Sequence, residues 1–101
     1  MAEIVWDPEA VAHMMTSHGV TPAEAEEALD DPEVLVRSPD PASRSGMSDR
    51  YIGYSTTRSQ LLVVILVRHD GTLYGGNAWP ASDGHRKLYE GRQGNDEDDP
   101  R

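Results

Sequence analysis

Gln60 to His69 reads QLLVVILVRH, and its seven consecutive apolar residues, Leu61 to Val67, decide the fold. They are mostly β-branched, too few to span a bilayer and bounded by turn residues, so they predict a central strand covered on both faces. Asp70-Gly71 follows, the dipeptide best suited to two positive φ angles. It predicts a type I′ hairpin that returns Thr72 to Trp79 antiparallel. Upstream, Arg50 to Thr56 alternates well enough to be the other neighbour. The minimum is an antiparallel meander of three strands.

Working outward, Glu3 to Trp6 can form a short first strand, and Asp7-Pro8 then caps and opens a helix. The proline sits at the first helical position, where its missing N–H does no harm. Val11, Met14, Met15 and His18 share one face, and Gly19 is placed to end the helix. Thr21-Pro22-Ala23-Glu24 is a capping box for a second helix whose inner face is Ala25, Ala28 and Leu29. Pro32 stops it. Glu33 to Arg37 is an expected strand, and the long polar loop Ser38 to Asp49 follows, a length that implies mobility or function in so small a domain. Pro80 ends the last strand, and Ser82 can cap a final helix closed by Gly91. The expected fold is α+β: an antiparallel sheet of four to five strands, two N-terminal helices and one C-terminal helix.

With 101 residues the chain holds one domain, expected over residues 1–91, with residues 92–101 a disordered acidic tail. No cysteine is present, so disulfides and thiolate metal sites are excluded. The N-terminus lacks the basic and apolar regions of a signal peptide, and the expected location is cytoplasmic. Net charge is −9, unevenly distributed: residues 1–36 carry nine acids and no Lys or Arg, whereas residues 37–90 carry seven basic residues against five acids. The sheet half can hold an anion, and the acidic second helix, with Glu26, Glu27 and Asp30 outermost, is either a solvated face or a contact for a basic partner.

Register supplies a geometric expectation. With Asp70-Gly71 as the loop, Arg68 opposes Leu73 and Leu62 opposes Trp79. If Thr56 opposes Gln60, then Arg50, Ile52 and Tyr54 join that face and Arg50 becomes a diagonal neighbour of Arg68. Two guanidinium groups that close form a phosphate site, or else pair with Asp49 and Asp70. Arg86 and Tyr89, three apart on the last helix, can approach the same region. His85 is the histidine expected as acid or base, His18 a structural one, and His13 has no partner at metal-ligand spacing. Asn77 and Trp79 share a face with Tyr54 nearby, as core or as a base-stacking platform. Gly75-Gly76 marks a bulge or a close backbone approach.

Trp6-Asp7-Pro8, His18-Gly19-Val20-Thr21 with Glu24-Ala25, Asp31-Pro32, Arg50 to Ser55, the Leu61 to Val67 run and Arg86 to Glu90 stand in an order that resembles the BrnT family. These are ribonuclease toxins of bacterial type II toxin–antitoxin pairs with a RelE-like fold. The resemblance implies metal-independent RNA cleavage without a cofactor, at a site drawn from Arg50, Arg68, His85, Arg86 and Tyr89, with RNA contacts from Tyr54, Asn77 and Trp79. It also implies a basic antitoxin of ribbon-helix-helix type, no membrane, and leaves a homodimer open. Ala78-Trp79 stands where the family typically has Ala-Arg, which predicts poor cleavage. The alternative is a binding or regulatory module that keeps the toxin fold without catalysis.

Overall fold

The computed structural model describes residues 3–94. The order is β1 (Ile4–Trp6), α1 (Pro8–His18), α2 (Pro22–Leu29), β2 (Leu35–Arg37), β3 (Ser48–Ser55), β4 (Gln60–His69), β5 (Thr72–Pro80) and α3 (Asp83–Gly94). One five-stranded sheet runs β1-β5-β4-β3-β2. The apolar run is its central strand, as its composition requires. The sheet is mixed rather than wholly antiparallel, because β1 lies parallel to β5 along Leu73–Gly75.

Local signals act as expected at the turns. Asp7 accepts the N–H groups of Glu9 and Ala10, Gly19 closes α1 at φ 69°, and Thr21 and Glu24 form a reciprocal capping box. Asp70 and Gly71 take φ of 50° and 78°, the two positive angles of a type I′ turn. α3 continues to Gly94, three residues beyond the Gly91 expected to end it. The rest of the expected tail, from residue 95, lies outside the described residues. Among the described residues, no helix is long and apolar enough to cross a membrane.

β3 is displaced by one residue from the expected register along its whole length, whereas β5 begins as expected, with Arg68 opposite Leu73, and shifts by one residue only beyond a bulge. Ser55, not Thr56, opposes Gln60, so the β3–β4 connection has four residues. Glu27 of α2 fixes that turn: its carboxylate accepts from the Ser55 hydroxyl and from the backbone and hydroxyl of Thr57. In β5, a bulge between Ile65 and Leu66 on the partner strand leaves Gly76 unpaired, and Trp79 opposes Val63 rather than Leu62. Gly75-Gly76 therefore serves both purposes, since a side chain at Gly75 would strike the Trp6 ring.

A slip of one residue exchanges the faces of a strand. Tyr51 and Gly53 turn toward α1 and α2, packing with Met14, Val20, Ala25, Ala28, Leu29, Leu62, Val64, Leu66 and Ala78 into the main core. Gly53 has no alternative, because a Cβ there would lie 2.0 Å from the Ala28 carbonyl oxygen. Arg50, Ile52 and Tyr54 take the opposite face with Val63 and Ile65, where α3 lies. Arg68 stays on the α1/α2 face. Thus the expected Arg50–Arg68 neighbourhood does not form.

Candidate functional site

Arg50 has different company. Its guanidinium reaches Asp40 Oδ1 at 3.0 Å and His85 Nε2 at 3.0 Å, while its Nε is buried without a hydrogen-bond partner. Each contact comes from a different element. β3 presents Arg50, the 38–47 loop folds Asp40 inward until it is buried, and α3 supplies His85. The loop is held there by the Asp40 N–H to Ser48 carbonyl bond and by a turn in which Asp40 Oδ1 accepts the Ala42 N–H. Arg37, the register partner of Arg50 across β2 and β3, stands on the same face and is exposed.

The protonation state of His85 follows from its neighbours. A guanidinium can only donate, so Nε2 must present its lone pair to Arg50, and the ring proton sits on Nδ1. That N–H donates to Ser82 Oγ at 3.0 Å, and the same oxygen accepts the His85 backbone N–H as the cap of α3. Burial lowers the His85 pKa below its usual value, with Arg50 and then Arg37 adding to the effect and Asp40 opposing it. The imidazole is neutral at pH 7. Two guanidinium groups against one carboxylate leave the cluster with a net positive charge, suited to an anion.

The other expected site residues are elsewhere. Arg68 grips Asp49 through a two-pronged contact of 2.8 and 2.9 Å and donates to the Gly46 carbonyl, with Ser38 completing the carboxylate. For Arg68 the alternative of ordinary ion pairing with Asp49 therefore holds, in place of a phosphate site shared with Arg50. Tyr89 donates its hydroxyl to Asp31 Oδ2, which also takes the Tyr54 N–H and so ties α3 to β3. Arg86 is exposed one residue beyond His85 and makes no ion pair among the described residues. By backbone register alone, Tyr54, Asn77 and Trp79 fall on the α3 side, because β3 and the part of β5 beyond its bulge are displaced by the same single step. They make no continuous platform: Tyr54 and Trp79 are two strands apart, about 10 Å. The Trp79 ring packs 6.2 Å from His18 instead, and the Asn77 side chain accepts the Ala78 N–H. His13 lies nearer to His18 than their spacing implied, with ring centroids 5.6 Å apart. No group of three metal-binding side chains occurs among the described residues.

On α2, Glu26 accepts the Trp6 indole N–H at 2.7 Å and Glu27 holds the β3–β4 turn, so its pKa is lowered to about 2, chiefly by the Thr57 hydroxyl. Asp30 is exposed. Arg37, Asp40 and Ser82 are the site residues that sequence reasoning did not single out as functional. The length of the Ser38 to Asp49 loop was the one signal for Asp40, whereas Arg37 lay in the expected strand and Ser82 was read only as a helix cap. Compared with known proteins, the chain matches no family model and no curated protein.

Proposed function

We propose that this protein cleaves RNA without a metal, at low rate, as a BrnT-like type II toxin held by a cognate antitoxin in the cytoplasm. The observation that carries the reading is the neutral, Ser82-oriented imidazole of His85 held 3.0 Å from Arg50, with Arg37 opposite. A phosphodiester entering between Arg37 and Arg50 draws the Arg50 NH1 away from the imidazole and frees Nε2. Nε2 then takes the proton of the ribose 2′-hydroxyl, whose oxygen attacks phosphorus. The arginines stabilise the charge that develops on the phosphate as the bond to the 5′ oxygen breaks. That oxygen takes its proton from solvent, and the products are a 2′,3′-cyclic phosphate and a 5′-hydroxyl. The rate is low because Tyr89 and Arg68 are engaged elsewhere and Trp79 occupies the position of the family arginine.

A second reading has its own support. Buried Asp40 already neutralises Arg50, as Asp49 does Arg68, which suits a module that keeps the fold for partner contact. Incubation of the pure protein with a labelled oligoribonucleotide separates the two. On the toxin reading, cyclic phosphate ends accumulate, His85→Ala lowers the rate by roughly a hundredfold or more, and Arg68→Ala spares the chemistry. Cleavage unchanged in His85→Ala would sink the mechanism, and a wild type that releases no product would leave the binding module.

A further inference from the structure

β2 closes one end of the sheet, so the backbone groups on its outer side have no strand partner among the described residues. Natural edges are commonly blunted by charge or bulges. This one is short and carries Arg37, yet it also presents Leu35 and Val36, the latter 46% exposed, beside Leu88 of α3, which is 44% exposed. Between them runs an open groove of about 380 Å³ lined by Leu35, Val36, Arg37, Lys87, Leu88 and Gly91. Its apolar part is aliphatic, and among the described residues the charged ones lining it are two cations, in a protein of net charge −9. Arg37 and Lys87 form no ion pair among the described residues.

These features select the occupant. Without an aromatic ring the groove cannot stack bases, which argues against single-stranded RNA. An open strand edge takes an extended peptide through its backbone, and side-chain pockets then set the sequence. Two unpaired cations at the rim call for carboxylates flanking the aliphatic contact. The acidic helix that a basic partner would need has two of its three expected contact residues, Glu26 and Glu27, already hydrogen-bonded within the fold. We propose that the β2–α3 groove binds an extended segment of a partner protein, aliphatic at its centre and acidic on either side, added beside β2 as a sixth strand. Because Arg37 belongs both to the groove and to the His85 cluster, the bound segment also removes one of the two cations offered to an anion. The proposal does not depend on RNA cleavage, since binding is read with no RNA present.

The test uses the full chain and a fluorescent, end-blocked peptide Glu-Glu-Val-Ile-Val-Glu-Glu, followed by anisotropy. Saturable binding is expected in the micromolar range, roughly the affinity of a short surface contact. It should weaken with salt, and it should be lost when alternate peptide nitrogens are methylated. Leu88→Asp should remove binding, and Lys87→Glu should weaken it about tenfold, since reversing a rim charge replaces an attraction with a repulsion. Both residues are exposed, and circular dichroism is the check that the variants fold. No binding by the acidic peptide overturns the proposal. So does equal binding of the peptide with Lys in place of Glu, or displacement by oligouridylate that is lost in Leu88→Asp. Binding seen only after truncation beyond Gly94 would mean that the chain's own acidic tail is the occupant, and would overturn it as well.

Discussion

Replacing Arg68 by alanine decides whether that arginine acts in a site or holds the fold together. The variant loses the two-pronged contact with Asp49 and the bond to the Gly46 carbonyl. The Asp49 carboxylate, only 6% exposed, keeps the Ser38 hydroxyl as its remaining side-chain donor. Stranding one member of a buried pair costs about 3–5 kcal/mol. Arg68 itself is 44% exposed, so water replaces part of what is lost and the cost falls below that of a fully buried pair. A fall of several degrees in the melting temperature is expected by circular dichroism at pH 7. Asp49→Asn in the same chain removes the stranded charge, and the double variant should melt above Arg68→Ala. The acid limb should respond too. Asp49 has its pKa lowered, first by its hydrogen bond to Arg68, so its contribution is present above the usual carboxylate range and lost as pH falls through the folded value. Arg68→Ala should be less sensitive to acid than wild type. If it melts within about 2 °C of wild type and RNA cleavage nevertheless disappears, the structural role is refuted and Arg68 belongs to the chemistry.

Two further outcomes test how β3 is held. Gly53→Ala places a methyl group 2.0 Å from the Ala28 carbonyl oxygen, so α2 must move off the sheet, and urea denaturation should show a loss of about 1–3 kcal/mol or more; an unchanged midpoint would mean that α2 is not seated as described. Glu27, whose pKa is lowered from 4.5 to about 2, contributes stability that is complete above pH 4.5 and lost as pH falls toward 2. Glu27→Gln should flatten that part of the pH–stability curve, and an unaltered acid limb would exclude the carboxylate as the anchor of the β3–β4 turn.

The elements were legible because each carries a local cause. Asp7-Pro8, the Thr21 capping box and Asp70-Gly71 fix their turns through bonds within a few residues, and all three form as read. The orientation of β1 was not legible, since a strand of three residues holds no mark of parallel or antiparallel pairing. The site was half legible. Arg50 and His85 meet, but Asp40 enters from a loop whose path is fixed by a backbone bond to Ser48 and an Asx turn, and Ser82 acts through an imidazole whose tautomer depends on Arg50. Arg37 joins them only once β2 is known to pair with β3.

The register errors share one physical origin, and it also explains which expectations survived. β4 is apolar on both faces, so sliding a neighbour by one residue exchanges one apolar contact for another and its own pattern cannot object. The decision passes to contacts made elsewhere. Glu27 captures Ser55 and Thr57, and the Ala28 carbonyl admits nothing larger than glycine at position 53, which forces Tyr51 inward and Arg50 outward. On the other side, Gly76 bulges and carries Trp79 across by the same single step. Two equal displacements flanking β4 leave Arg50, Tyr54, Asn77 and Trp79 on one face by backbone register, whereas Arg68, fixed on β4 itself, remains on the other. A site assembled from the neighbours of the central strand was therefore insensitive to the error, and one that needed a residue of the central strand was not.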